Sequence, residues 1–282
     1  MARSGKRSNE KNRGSKKERQ EKEFQNNNNK KDNKKPSIAL SEYINGIYEN
    51  YVNLKTVCSH NCECCKISMP GIHYSEFVNI VTDIWNTYPD EEKLNLIFMS
   101  IEYFFRYDYN KWGMDSLIKP CMLLDKDGLC KIYSKRPLNC RMYGLWPKEN
   151  YEARVDKFEK AYSSLGLKRE DLPLNTQCPH VKRVDDSIPI TTELIEDLFS
   201  KLDEMDKKIG DFSSLQVAQK ENYRTFADWL LFKIFGPDWL AKLTSFAMAA
   251  DKNTMEEQIK AIKEVFTKEF SKTGIPDVRK RL

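Results

Sequence analysis

The chain has 282 residues with 40% apolar content, enough for one or two domains around a sizeable core. Its net charge of +5 is unevenly held: residues 1–35 carry 13 Lys/Arg against 5 Asp/Glu, a local +8 that leaves the remainder at −3. No apolar run follows the first basic residues, and no stretch approaches the roughly 18 uncharged apolar residues of a spanning helix. No secretory signal and no transmembrane helix are therefore expected, and the expected setting is the cytoplasm, where thiols stay reduced.

Residues 1–35 hold a single aromatic, Phe24, and an asparagine run from Asn26 to Asn29. Such a segment buries too little apolar surface to offset its conformational entropy, so residues 1–36 are expected to be a disordered basic tail. Through phosphates it would bind nucleic acid weakly and without sequence preference. It has no interleaved aromatics for stacking bases, which favours a solubilising role instead.

Leu40, Tyr43, Ile44, Ile47, Tyr48 and Tyr51 then follow helical spacing, with Ser37 or Ser41 as cap and an end near Thr56. A second helix follows Ser75, with Phe77, Ile80, Val81, Ile84, Trp85 and Tyr88 on one face. A third follows Asp90 and carries Leu94, Ile97, Phe98, Ile101, Phe104 and Phe105. These stripes are core faces, not a cofactor box. Residues 120–133 read as a small β-hairpin turning at Asp127-Gly128. Arg136-Pro137 suits a helix start, and residues 152–165 form a polar helix. Beyond Pro189, Leu194, Ile195, Leu198, Phe199, Leu202 and Met205 form a stripe capped by Thr191 or Thr192. Residues 219–235, 237–249 and 254–272 give three more helices, the first two parted at Gly236-Pro237.

The expected fold class is mainly α: a helical domain with a small β-hairpin and a loop-rich cysteine/metal centre. Residues 37–186 would form the metal-binding domain and residues 187–275 a helical region packed on it. Residues 276–282 would be a basic tail. No protein partner can be named from the sequence, and the helices from 192 onward carry no readable motif.

Chemistry concentrates in the cysteines. Cys58, Cys62, Cys64 and Cys65 fall within eight residues, and Cys121, Cys130, Cys140 and Cys178 follow. Clustered reduced thiols are metal ligands rather than disulfides. Thiolate selects zinc, copper(I) or iron–sulfur clusters, at about four ligands per site, so eight cysteines make one or two sites. Neighbouring side chains on extended backbone point apart. On that reading Cys64 and Cys65 serve two adjacent sites, or one of them stands behind the other. Packing four thiols together and scattering four singly departs from the paired knuckles of zinc sites. That favours iron–sulfur, one or two 4Fe–4S clusters, with zinc as the alternative.

His60 and His180 each lie two residues from a cysteine and are secondary ligand candidates. His73 is assigned no role. The C-x3-C-x2-C spacing of Cys58, Cys62 and Cys65 occurs in a class of iron–sulfur enzymes with a sulfonium cofactor. That class has an aromatic where Cys64 stands, and recurring strands that this chain lacks. No Gly-rich phosphate loop, Ser-His-Asp set or H-E-x-x-H appears.

Two blocks carry a family resemblance. The first is Cys58-x3-Cys62-x-Cys64-Cys65 with Glu76 beyond it. The second is Pro120-Cys121-Met122-Leu123-Leu124, Gly128-Leu129-Cys130-Lys131-Ile132-Tyr133, Arg136-Pro137 and Cys140-Arg141. Over roughly residues 55–182 the chain resembles the YkgJ-type cysteine-cluster proteins, described as zinc- or iron-chelating domains. The first block departs from their usual C-x2-C-x2-C-C in having gaps of three and one. Flagellin lysine methylases look similar in their cysteine cluster, so the resemblance implies either a non-catalytic metal module or an iron–sulfur enzyme, a protein methyltransferase or redox catalyst. Arg136 and Arg141 would offset the charge of the thiolates, and Tyr133 would pack in the core.

Overall fold

Helix α8 (Phe226–Phe235) reads FADWLLFKIF, and eight of its ten residues are buried. A helix apolar on every side has no face to offer water, so others must surround it. It starts on Thr225, whose Oγ1 accepts the Asp228 amide at 3.2 Å. It stops at Gly236, where φ is +80°, and Pro237 then opens the next helix.

The computed structural model describes residues 36–50, 56–58, 63–67, 69–108, 119–163, 166, 181–183, 187, 189–210, 223–251 and 253–282. The basic tail 1–35 lies outside them. Contacts divide the chain into two units, residues 1–43 and 44–282. The described part of the first is the helix from Pro36 to Tyr43; all that follows concerns the second.

In chain order the elements are α1 (Pro36–Asn50), β1 (Thr56–Cys58), α2 (Glu63–Ile67), β2 (Ile72–His73), α3 (Tyr74–Thr87) and α4 (Asp90–Tyr103). Helix α4 runs on into a π turn, Phe104–Asp108. Next come a 3-10 turn (Tyr133–Lys135), α5 (Leu138–Met142), α6 (Lys148–Tyr162), β3 (Val181–Arg183), α7 (Thr192–Ile209) and β4 (Tyr223–Arg224). The chain ends with α8, α9 (Pro237–Ala249), α10 (Met255–Thr273) and a 3-10 turn (Val278–Arg281). The fold is mainly helical. Its short strands make two antiparallel pairs, β1 with β3 and β2 with β4.

Helices α3, α4 and α9 and the last 3-10 turn all pack on α8, while α7 lies on α3 and α10 on α4. Phe77 and Trp229 stack across α3 and α8 at 6.1 Å between ring centres, and Trp229 Nε1 donates to the Ile72 carbonyl at 3.1 Å. The expected stripes form this core: Phe77, Ile80, Val81 and Ile84 on α3, Ile97 and Ile101 on α4, and Leu198 and Leu202 on α7 are all buried.

Three local expectations change. The helix expected from 219 begins at Phe226, because Tyr223 and Arg224 pair with β2 and Thr225 caps α8; residues 219–222 lie outside the described set. The polar helix expected at 152–165 is Lys148–Tyr162, set by Pro147 at its N-cap. The hairpin contracts to one bridge, Leu124 with Cys130, flanked by Lys131 N donating to Leu123 O at 3.0 Å and Asp125 N to Leu129 O at 2.8 Å. Its turn holds Gly128 at φ +75°.

The last residues are docked. Trp85 Nε1 donates to Pro276 O at 3.1 Å, Val278 is fully buried, and Tyr74 Oη donates to Leu282 O at 3.3 Å. Lys233 Nζ donates to Arg281 O at 3.0 Å, and Arg281 caps the α8 carbonyl of Ile234.

Candidate metal centre

Three short segments carry the described thiols. Helix α2 supplies Cys64 and Cys65, with sulfurs 3.8 Å apart. On a helix, adjacent residues are turned by about 100° rather than opposed. The divergence expected of an extended Cys64-Cys65 pair therefore does not occur, and both thiols reach one cavity.

The hairpin supplies Cys121 and Cys130. It is tied to α2 by Cys121 N donating to Cys65 O at 2.6 Å and Lys119 N to Ile67 O at 2.7 Å. The Asp125 carboxylate accepts the amides of Asp127 and Leu129 at 2.9 and 2.8 Å, closing the turn that returns Cys130 to the cavity. Helix α5 supplies Cys140. All five thiols are free and line the same concavity, with Met69, Ile72, Ile80, Leu123 and Phe226 as apolar walls.

The thiols differ in acidity. Hydrogen bonding from Cys65, then the Arg136 guanidinium, lowers Cys64 to about 7. The same two influences, with the Ile132 amide, lower Cys130 to about 7. Cys65 is the reverse. Hydrogen bonds to Cys121, Cys130 and Cys64 hold its proton, and burial adds to them, so its pKa is raised. Burial, then the nearby Cys121, Cys64 and Cys130, pushes Cys140 well above the usual thiol range. Donors of this kind fit a thiophilic metal ion, which would displace the retained protons.

Arg136 is clamped: its guanidinium carbon lies 3.8 Å from the centre of the Tyr133 ring, and Nε donates to Tyr133 O at 3.2 Å. Tyr133 is thus a platform, half-buried at the cavity wall. Arg141, which interacts electrostatically with Cys140, also has a structural task. Nε donates to Arg136 O at 2.8 Å and Nη2 to Ser134 O at 3.0 Å, and the group lies over the Tyr48 ring at 4.4 Å. It holds the turn that carries Arg136.

Glu76 joins these parts. It is 2% exposed. Oε2 accepts the His73 amide at 3.0 Å, and Oε1 accepts the Leu138 amide at 2.6 Å and the Tyr48 hydroxyl. Leu138 is the first residue of α5, so Glu76 sits at the N-termini of both α3 and the helix bearing Cys140. Asn139 Nδ2 adds a tie to Gly71 O at 2.9 Å.

Asp206 of α7 does the same for α3 from the other side. Fully buried, it accepts Ser75 N at 2.7 Å, Tyr74 N at 3.2 Å and His73 Nδ1 at 3.1 Å. Burial pushes His73 down, but hydrogen bonding to Asp206 and the charges of Glu76, Asp206 and Asp203 raise it overall. Sequence reading missed this residue. Its signal was an acid four positions past Leu202, on the apolar stripe of α7.

The structure thus brings Cys64, Cys65, Cys121, Cys130 and Cys140 together. Cys58 is placed by its backbone, which pairs with Val181 across β1 and β3. The Cys58 side chain, Cys62, Cys178, His60 and His180 lie outside what is described. Residues 57–179 match the family model CxxCxxCC, described as "Putative zinc- or iron-chelating domain". That stretch is similar to the cysteine-cluster proteins. Neither the curated proteins nor the solved structures hold a match to this chain. The CxxCxxCC stretch begins inside β1, spans every cysteine and ends two residues before β3. No described helix is long and apolar enough to cross a membrane.

Proposed function

We propose that the CxxCxxCC stretch is a metal module in which the eight cysteines ligate individual zinc or iron ions. The observation that carries this is the 3.8 Å between the Cys64 and Cys65 sulfurs. Tetrahedral zinc with Zn–S near 2.3 Å has sulfurs about 3.8 Å apart along each edge. In a 4Fe–4S cluster each thiolate caps a different iron, and the sulfurs stand further apart than the edge of one ion. Five thiols from α2, the hairpin and α5 already face one cavity, and the remaining three flank it in sequence. β3 begins three residues after Cys178, a reach of about 11 Å at most, and pairs with the strand that ends at Cys58.

Metal bound there would fasten three segments that have little core of their own. Glu76, which holds α5 to the start of α3 and to Tyr48, is occupied with those backbone and hydroxyl donors. The reading is therefore of a centre that organises structure.

The test is elemental analysis with acid-labile sulfide on anaerobically purified full-length protein. Zinc or iron without sulfide is expected, and cobalt(II) substitution should give intense thiolate charge-transfer absorption. Stoichiometric sulfide in a brown protein would overturn the single-ion reading and favour the second one, 4Fe–4S, which the number of cysteines supports. The absence of any bound metal would overturn both.

A further inference from the structure

His73, Asp203 and Asp206 converge at a place that does not line the thiol cavity. His73 closes β2, and both acids stand on α7, spaced i and i+3 on one face. His73 Nδ1 lies 3.4 Å from Asp203 Oδ1 and 3.1 Å from Asp206 Oδ2, and the three ligand atoms all fall within 4.8 Å of one another. We propose that this triad is a second metal site, taking a divalent cation of the manganese(II) or iron(II) class, independent of the cysteine centre.

A ring nitrogen offers one proton or one lone pair. Two carboxylates aimed at the same nitrogen are more than one N–H serves. Asp206 takes it at the shorter distance, and the half-exposed Asp203 still faces it at 3.4 Å. A metal ion uses all three groups: the neutral ring gives its lone pair, each carboxylate gives one oxygen, and the displaced proton leaves to solvent. The spacing fits, because bonds of about 2.1 Å to one ion set neighbouring ligand atoms about 3.0–3.4 Å apart.

The ligands are held in place. Asp206 is fully buried, with the Ser75 and Tyr74 amides donating to its carboxylate at 2.7 and 3.2 Å. His73 is buried too, with its ring centre 5.5 Å from that of Phe199 and its own amide donating to Glu76. Supports of this kind orient metal ligands. Asp203 stands half in solvent, which gives an ion a way in and water to complete its shell. Charge points the same way. With His73 protonated, the carboxylates of Glu76, Asp203 and Asp206 leave a formal net of about −2, and a divalent ion in place of the proton brings it to about −1. One imidazole with two carboxylates is a harder donor set than thiolate, so the two sites would sort metals between them.

The test is Mn(II) titration of the full-length chain, purified and passed over a chelating resin, read by EPR. One Mn(II) per chain is expected, with nitrogen modulation in its pulsed EPR from a coordinated imidazole. Asp203→Asn, at a half-exposed position, should weaken that binding about 10- to 100-fold. Glu204→Gln removes an exposed charge beside it and should leave binding nearly unchanged. His73→Gln should abolish the nitrogen modulation. That modulation is read on the unsubstituted chain, so it stands even where His73→Gln fails to fold. No bound Mn(II), bound Mn(II) without nitrogen modulation, or equal losses in Asp203→Asn and Glu204→Gln would overturn the site. Metal held by the cysteines is assayed separately by elemental analysis, so failure of one site leaves the other standing.

Discussion

Arg136 shows how one side chain adjusts the chemistry of the cavity. Hydrogen bonding from Cys65 is the larger cause of the fall of Cys64 and Cys130 to about 7; Arg136, stacked on Tyr133 and held through Nε, adds its charge to it. Cys65 and Cys140 keep their protons at that pH, because both are shifted upward. A metal ion must therefore displace protons, and affinity should climb as pH rises through and beyond 7. Arg136→Gln removes the cation, raises both acidic thiols and leaves fewer thiolates at pH 7. Zinc affinity measured by chelator competition should fall about 10- to 100-fold at pH 7, and the deficit should narrow toward pH 9. A pH-independent loss would show that Arg136 acts through shape alone. The cysteines and both arginines were legible in the sequence as chemistry. The division of labour between Arg136 and Arg141 was not, since it depends on which carbonyls a folded turn presents.

At the scale of elements, buried carboxylates at helix starts lock the site together. Glu76 ties α3, α5 and Tyr48 of α1, and Asp206 ties α7 to α3. In Glu76→Gln the amide can accept at one oxygen only, so one of three donors loses its partner. Unfolding in urea should show a loss of about 1–3 kcal/mol, larger in Glu76→Ala. Metal affinity should fall as well, because Leu138 would no longer hold α5 and Cys140 in place; unchanged affinity would separate the two effects. The sequence made the helices themselves legible through their periodicity. It misled at α2, since five residues are too few to show a period, and a Cys-Cys pair read as extended backbone predicts opposed thiols. Asp206 was hidden because its partners, His73, Tyr74 and Ser75, lie more than 130 residues away.

On the scale of the whole molecule, the metal stretch is not self-sufficient. Its α3 and α4 bury their apolar faces against α8, which lies beyond the family match. Leu230 is fully buried in α8. Leu230→Ala should cost about 2–5 kcal/mol, and the thermal midpoint of the metal-free chain should drop with that of the loaded chain. A drop confined to one form would mean that the two regions melt separately. That two helices part at Gly236-Pro237 was legible in the sequence. That α8 is the hub was not, because a uniformly apolar run does not say which neighbours cover it. The docked turn at 278–281 was equally obscure: Arg279-Lys280-Arg281 looks like a solvated basic end, yet Val278 beside it is fully buried.

The pairing of Cys58 with Val181 has a mechanical consequence. The stretch that holds the cysteines leaves and re-enters through one antiparallel pair of three-residue strands. Tension arriving along β1 or β3 is shared among the three residue pairs of the ladder. A tether or a large fusion placed upstream of residue 56 would then tug on the hydrogen bonds of that ladder.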